Sequence, residues 1–109
     1  MVERIIKRGE IYWVNFDPTI GTEIRKIRPA LIIFSSFYRV IALPITSNTK
    51  EVHDWQLVIK GLVKDKEGKI LFDQIRSFDR QRLLRKLGEI DKEKIIKVNQ
   101  MLKKIFLLN

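Results

Sequence analysis

Three short segments of this sequence place charged or hydroxyl-bearing side chains directly beside an apolar stretch, where a rigid backbone can hold them for chemistry. The first is segment 17–29, in which the cations Arg25, Lys26 and Arg28 lie within four residues. Arg28 stands where a polar loop meets an apolar strand, so its guanidinium can bind a phosphate in a bidentate manner. Glu23 can orient that arginine or act as a base. The alternative is a solvated charged loop, whose ion pairs contribute little to stability.

The second segment, 43–48, places two hydroxyls and an amide at the end of an apolar strand. Thr46, Ser47 and Asn48 follow Leu43-Pro44-Ile45 directly. Such groups donate hydrogen bonds to a developing oxyanion without titrating. By itself, however, the pattern is better explained as an ordinary strand-end turn, because these residue types favour turns for local reasons.

The third segment, 72–77, contains a carboxylate close to an arginine. If it is a strand, Asp73 and Ile75 face one way, and Gln74 and Arg76 face the other. Asp73 follows an apolar stretch, so we expect it to be partly buried. A carboxylate in that position is either half of a structural ion pair or a base, and the structural role is the commoner one.

The composition excludes several classes of function. The chain has 109 residues, no cysteine and one histidine, His53. A thiolate zinc site, a disulfide scaffold and a cysteine nucleophile are therefore absent, and one chain cannot supply a His-rich metal site. The net charge is +9, from 22 basic and 13 acidic residues, which favours a polyanion such as nucleic acid or an acidic protein as the partner.

The histidine and the two tryptophans have ordinary explanations. His53 is flanked by Val52 and Asp54 near the start of a strand, which is typical of a surface histidine. Trp13 and Trp55 are expected in a core or an interface, although base stacking on RNA would use the same residue type.

The elements that must position these residues are strands first and helix last. Apolar alternation and continuous apolar runs predict strands over 10–16, 29–34, 39–45, 55–59 and 69–75, with a surface turn over 61–68. Ser77 or Asp79 is expected to cap a short helix over 79–87 that stops at Gly88. Asp91 caps a final amphipathic helix, whose apolar face consists of Ile95, Val98, Met101, Leu102, Ile105 and Leu108.

We therefore predict a single domain over 1–109 that is mainly β, of the α+β type: a small closed or partly closed β-barrel with a short helix and a C-terminal helix packed on it. No apolar run is long enough to span a membrane, and the N-terminus does not resemble a secretory signal. The expected compartment is the cytoplasm.

Taken together, these segments resemble the MazF/PemK family, the toxin component of bacterial and archaeal toxin–antitoxin modules. No single block carries the resemblance; its specificity comes from several blocks in the family's order along nearly the whole chain. The matching blocks are 8–19, 21–23, 28–33, 42–47, 73–79 and 82–88.

The resemblance implies an SH3-like barrel that forms a homodimer and binds single-stranded RNA across the subunit interface. It implies a sequence-specific, metal-independent endoribonuclease that needs no cofactor. The 2′-hydroxyl of the RNA attacks the adjacent phosphorus, leaving a 2′,3′-cyclic phosphate and a 5′-hydroxyl. It also implies an acidic, partly disordered antitoxin that covers the site.

The family's site residues carry over onto matching positions. Arg28 matches the catalytic arginine and Thr46 the catalytic threonine, while Glu23 and Asp73 match carboxylates proposed as acid–base or substrate-contacting groups. Since the RNA supplies the nucleophile, Arg28 and Thr46 would stabilise charge on the phosphoryl oxygens, and Asp73 or Glu23 would be the base. We expect further RNA contacts from Arg25, Lys26, Ser47, Asn48, Gln74 and Arg76.

The chain also departs from the family pattern. The connection 34–39 is shorter than usual, and Leu71 stands where some members have an arginine proposed as the acid. Arg25 and Lys26 replace small residues, so we expect RNA binding to depend steeply on salt. Two other functions remain open: a non-catalytic nucleic-acid-binding module of the same fold, and a gyrase-poisoning toxin of the CcdB type.

Overall fold

The computed structural model describes residues 5–24, 26–63 and 66–107. In that part, the chain forms seven strands, two single turns of 3₁₀ helix and one α-helix. The strands are β1 (Glu10–Asn15), β2 (Ile27–Ser35), β3 (Arg39–Thr46), β4 (Gln56–Val63), β5 (Lys66–Leu71), β6 (Arg76–Asp79) and β7 (Leu83–Glu89). The 3₁₀ turns are Phe72–Gln74 and Arg80–Arg82, and the helix α1 is Lys92–Ile105.

The strands form one curled antiparallel sheet in the order β4-β5-β3-β2-β1-β7. Two strands share one edge of β3: β5 pairs with its C-terminal end through Thr46 and Lys69, and β6 pairs with residues 39–42. The 3₁₀ turn 72–74 leads the chain from one pairing to the other. Register shifts interrupt the β2–β3, β1–β7 and β4–β5 pairings, and such irregularities bend and twist a sheet. The expected mainly β fold with a C-terminal helix is confirmed, as a curled half-barrel.

The core lies on both faces of this sheet, because successive side chains of a strand point to opposite faces. One cluster is centred on Tyr12, Val14, Phe16, Ala30 and Phe78. The other cluster lies between the sheet and α1 and is centred on Ile11, Leu31, Leu43, Ile70 and Val98.

The C-terminal helix forms as the sequence predicted. The Asp91 side chain accepts a hydrogen bond of 2.9 Å from the Lys94 amide and so caps the first turn. Val98 is fully buried, and Met101, Leu102 and Ile105 pack around it. Leu108, the last residue of the predicted face, lies outside the described residues. Across the described ranges, no helix has the length and apolar character to cross a bilayer.

The predicted helix over 79–87 is wrong. Asp79 does act as a cap, since its side chain accepts a hydrogen bond of 2.8 Å from the Gln81 amide, but the turn it starts ends at Arg82. The following residues form β7, which pairs with β1 along the edge of the sheet. Gly88 lies within that strand, opposite Ile11, and does not end a helix.

The boundaries of the fourth and fifth strands also differ from the prediction. Residues 61–63 and 66–68 belong to β4 and β5, with Val63 opposite Lys66, so the expected turn over 61–68 is mostly strand. The expected strand over 69–75 ends at Leu71. Alternation therefore does not apply to Asp73, which lies in the 3₁₀ turn and is exposed instead of partly buried.

A buried carboxylate joins the first and last strands. Glu10 accepts hydrogen bonds from the Lys7 amide (2.6 Å) and the Tyr12 hydroxyl (3.2 Å), and it pairs with the Lys86 ammonium at 2.6 Å. Burial raises the pKa of this carboxyl, but the hydrogen bonds from Lys86 and Lys7 together outweigh burial and lower the pKa of Glu10. Hydrogen bonds to Glu10 and Glu89 in turn raise the pKa of Lys86.

Candidate functional site

The structure brings Arg28 and Thr46 into one cleft. Ala30 of β2 is opposite Pro44 of β3, and Arg28 and Thr46 each lie two residues further along, at the same end of this antiparallel pair. Both residues are half-buried. An open cleft of about 370 Å³ contains both, and it is lined by Trp13, Ile27, Arg28, Pro29, Ile45, Thr46, Ser47, Lys66, Glu67 and Gly68.

The hydroxyl of Thr46 is oriented by its own turn. Its Oγ1 accepts a hydrogen bond of 3.2 Å from the Asn48 amide, and the Asn48 side chain accepts one of 3.2 Å from the Lys50 amide. Accepting from the backbone leaves the Thr46 proton to be donated, since a hydroxyl is both donor and acceptor. Ser47 lines the same cleft, while Asn48 is exposed and serves the turn.

The charges of this cleft are mixed. Arg28 supplies a permanent cation whose planar fork matches the geometry of a phosphate. Lys66 adds a second cation and Glu67 a carboxylate, both from the start of β5. Sequence reasoning missed these two residues because it assigned them to a surface turn. Their approach to Thr46 depends on the pairing of β5 with the end of β3, which no local pattern records.

The other predicted residues gather in a second cleft. Glu23, Asp73, Gln74 and Arg76, together with Ile24 and Ile75, line an opening of about 280 Å³ that shares no lining residue with the first cleft. The two expected carboxylates therefore line one cleft together, whereas Arg28 and Thr46 line another.

Several side chains of the second cleft are engaged in holding the loop between β1 and β2. The Glu23 carboxylate accepts a hydrogen bond of 2.6 Å from the Ile20 amide. The Gln74 side chain accepts from the Ile24 amide and donates to the Thr22 carbonyl, both at 3.3 Å. Asp73 differs from them, because it is exposed and forms no hydrogen bond or ion pair with the described part of the chain.

Two arginines fix the base of the same loop. Arg76 donates to the Phe16 carbonyl at 2.7 Å. Arg82 donates to the carbonyls of Asn15 and Asp17, so the guanidiniums hold three successive carbonyls. Arg76, expected to contact RNA, is thus committed at least in part to the fold, and Arg82 is a positioning residue that sequence reasoning missed.

The basic end of the loop is only partly described. Lys26 is exposed, has a positive φ of 64°, and donates its amide to the Asp17 carboxylate at 3.1 Å. It lines a separate shallow cleft with Asp17, Pro18 and Thr19. Arg25 lies outside the described residues.

The fold and the arginine and threonine that share a cleft define a small half-barrel protein with an open cleft of mixed polar and apolar lining at one end of β2 and β3. Residues 7–106 match the family model described as the PemK-like, MazF-like toxin of type II toxin–antitoxin systems. The chain belongs to this toxin family, and the resemblance inferred from the sequence is confirmed.

Curated relatives of this chain are named endoribonucleases. Endoribonuclease MazF9 of Mycobacterium tuberculosis is 29% identical, with 91% of this chain and 94% of the relative covered. Endoribonuclease EndoA of Bacillus subtilis is also 29% identical, with 90% and 91% covered. Endoribonuclease toxin MazF of Escherichia coli is 31% identical over 71% of this chain and 72% of its own length.

Solved structures show the same fold. MazF from Deinococcus radiodurans superposes with a TM-score of 0.81 at 25% identity, covering 95% of this chain and 98% of that one. An endoribonuclease from Mycobacterial species, solved in complex with its cognate antitoxin, has a TM-score of 0.77 at 19% identity, covering 96% and 98%.

Proposed function

We propose that this protein is a sequence-specific endoribonuclease that cleaves single-stranded RNA, such as mRNA, at the cleft of Arg28 and Thr46. One observation carries the proposal: the permanent cation and the hydroxyl come from neighbouring strands and line one cleft. The names of the curated relatives support the same activity.

The reaction fits the groups that this cleft offers. The RNA 2′-hydroxyl gives its proton to a base and attacks the adjacent phosphorus, and the bond from phosphorus to the 5′-oxygen breaks. The 5′-oxygen takes up a proton from water or from the protonated base, so the products carry a 2′,3′-cyclic phosphate and a 5′-hydroxyl. Arg28 stabilises the extra charge on the phosphoryl oxygens, and the Thr46 hydroxyl donates to one of them. The need for a 2′-hydroxyl makes the enzyme selective for RNA over DNA.

The base that accepts the 2′-hydroxyl proton is one of three carboxylates. Glu67 lines the cleft of Arg28 and Thr46, whereas Asp73 and Glu23 line the second cleft. Asp73 or Glu23 can act as the base only if the bound RNA spans both clefts or a partner subunit brings them together. Replacing each carboxylate by its amide separates these cases, because loss of the true base removes the acidic limb of the pH–rate profile.

We further propose a homodimer as the active form and an acidic antitoxin as its inhibitor. A net charge of +9 favours an acidic partner, and structural neighbours of this chain are solved with a cognate antitoxin. The proposed substrate, mRNA, places the protein in the cytoplasm. Gel filtration with light scattering tests the dimer, and a monomer that cleaves RNA at full rate would contradict it.

The activity is tested with a long single-stranded RNA in excess EDTA, because the proposed chemistry needs no metal. We expect discrete cuts whose 5′ ends accept a kinase label without prior phosphatase treatment. Arg28→Ala and Thr46→Ala should each slow cleavage by about 10²–10³. Arg85→Ala is the matched control, since Arg85 is an exposed cation on β7.

Two outcomes would replace this proposal. Tight RNA binding by the folded wild type, without cleavage of several unrelated RNAs, would indicate a non-catalytic binding module. Intact RNA together with inhibition of gyrase would indicate a gyrase poison.

A further inference from the structure

Two exposed rings are stacked on the loop that follows Thr46. The imidazole of His53 and the indole of Trp55 are parallel within 2°, with ring centroids 4.6 Å apart. His53 is exposed and Trp55 retains 42% of its accessible surface. Neither ring belongs to a core cluster, so Trp55 is not the core residue that was one of its two expected roles; the other expected role, in an interface, stays a prediction.

The segment that carries the rings is fixed relative to Thr46. Lys69, the register partner of Thr46, is buried, and its ammonium donates to the Glu51 carbonyl at 2.5 Å. Glu51 stands two residues before His53. A buried lysine thus anchors the middle of this loop to the strand beside the candidate cleft.

The far end of the loop is also held. The His53 amide donates to the Gln56 side chain at 3.0 Å, and the Gln56 amide donates to the His53 carbonyl at 3.0 Å. Gln56 is the first residue of β4, so the backbone between the two rings is tied to the sheet. The stack is therefore preorganised, which lowers the entropic cost of placing a third ring upon it.

The charges near the stacked rings favour binding of the base of a nucleotide over binding of its phosphate. Asp54 follows His53 directly and Glu51 stands two residues before it, so that, with Lys50, segment 50–55 has a net charge of −1, which disfavours a phosphate at this point. A nucleobase is uncharged and has an aromatic face. Stacking of unpaired bases on aromatic side chains is a main mode of single-stranded RNA recognition.

We propose that the His53–Trp55 pair is a base-stacking subsite for the RNA whose phosphate occupies the cleft of Arg28 and Thr46. This inference rests on the proposed function. The pair holds one base of the strand beyond the cleavage site, and it contributes affinity without taking part in the bond changes.

The test uses a short single-stranded RNA with a 2′-deoxy nucleotide at the mapped cleavage position, so that binding is measured without cleavage. Trp55→Leu keeps apolar bulk without an aromatic face, and Trp55→Phe is the matched conservative variant. Trp55→Leu should bind this RNA about 5- to 150-fold more weakly, as expected for loss of one stacked base, and Trp55→Phe should recover most of the affinity. In cleavage assays, Trp55→Leu should raise KM and leave kcat unchanged.

A second arm identifies the base. Each nucleotide of the same RNA is replaced in turn by an abasic one. At the stacked position, the abasic change should weaken binding by the wild type but not by Trp55→Leu, while at other positions both proteins should lose equally.

Equal affinity of wild type, Trp55→Leu and Trp55→Phe, in a protein that cleaves RNA, would overturn the inference and leave the proposed function intact. The inference would also be overturned if Trp55→Leu weakened only the binding of an acidic antitoxin peptide. A wild type that neither binds nor cleaves RNA would instead overturn the proposed function.

Discussion

Gly68 occupies a position where even one methyl group has no room. It lies in β5, and a Cβ added there would stand 2.8 Å from Cγ2 of Ile45 and 3.3 Å from Cδ1 of Leu62. Carbon atoms in contact prefer about 3.5–4.0 Å. Ile45 and Leu62 retain 2% and 5% of their accessible surface, and the β-branched Ile45 has little rotamer freedom to move away.

Gly68→Ala should therefore destabilise the protein. Overpacking by one carbon costs about 1–3 kcal/mol, and the lower entropy of the unfolded chain returns about 0.4–1 kcal/mol. The net loss lies between about 0 and 2.6 kcal/mol, and its central value of about 1.3 kcal/mol corresponds to a fall in Tm of roughly 5–10 °C for a domain of this size. Since Ile45 precedes Thr46 and Gly68 lines the same cleft, RNA cleavage should also fall at temperatures where the variant is folded.

Gly88→Ala is the matched control. Gly88 also lies in a strand, but a Cβ there would meet nothing within 4 Å. The Tm of Gly88→Ala should equal that of the wild type or be slightly higher. Thermal unfolding followed by circular dichroism, with urea unfolding as a second measure, compares the two variants. If Gly68→Ala melts at or above Gly88→Ala, the packing argument around Ile45 is wrong.

Three further predictions concern electrostatics and the loop between β1 and β2. Glu10→Gln should lose about 1.5–3 kcal/mol at neutral pH, because it removes a buried, hydrogen-bonded charge. The pKa of Glu10 is lowered from 4.5, so the stability that its charge contributes is complete above that pH and is lost as pH falls through the folded-state pKa. The Tm values of variant and wild type should therefore converge in acid. A difference in Tm that stays constant with pH would refute the assignment of this stability to the charge of Glu10. Arg82→Ala should speed amide hydrogen exchange in the loop, measured by mass spectrometry, whereas Arg85→Ala should not; equal exchange would show that the carbonyl contacts do not order the loop. The logarithm of the affinity for RNA should fall linearly with the logarithm of the salt concentration. Lys26→Ala should reduce the magnitude of that slope by about 0.7 if Lys26 contacts one phosphate. A slope near zero in the wild type would remove phosphate contacts from the proposal.

Elements with a strong local signal were predicted correctly. The alternation that begins with Tyr12 and Val14 specifies β1, which ends one residue before Phe16. Asp91 caps α1 through a contact within its own turn. These features depend on neighbours in sequence, so the pattern alone is sufficient.

Elements that depend on a partner distant in the sequence were not predicted correctly. β7 contains residues that favour helices, and it is a strand because β1 offers it an unpaired edge about 70 residues earlier. The 3₁₀ turn 72–74 is likewise fixed by contacts with the loop 22–24, some 50 residues away.

The candidate site shows the same division. Arg28 and Thr46 were singled out by residue type and by the family resemblance, and the β2–β3 register then places them together. Lys66 and Glu67 reach the cleft only through the pairing of β5 with β3. That Asp73 lines a different cleft from Arg28 is equally a property of the assembled sheet.

The pairing of the first strand with the last has a consequence for synthesis of the protein. Arg28 and Thr46 are translated early, but β1 keeps an open edge until Glu89 has left the ribosome, and α1 then has still to cover the second core cluster. A nascent chain therefore carries the residues of the candidate cleft without the completed fold that holds them. We expect cleavage of RNA to begin only after α1 has been made, so that a chain still being translated should not act on RNA.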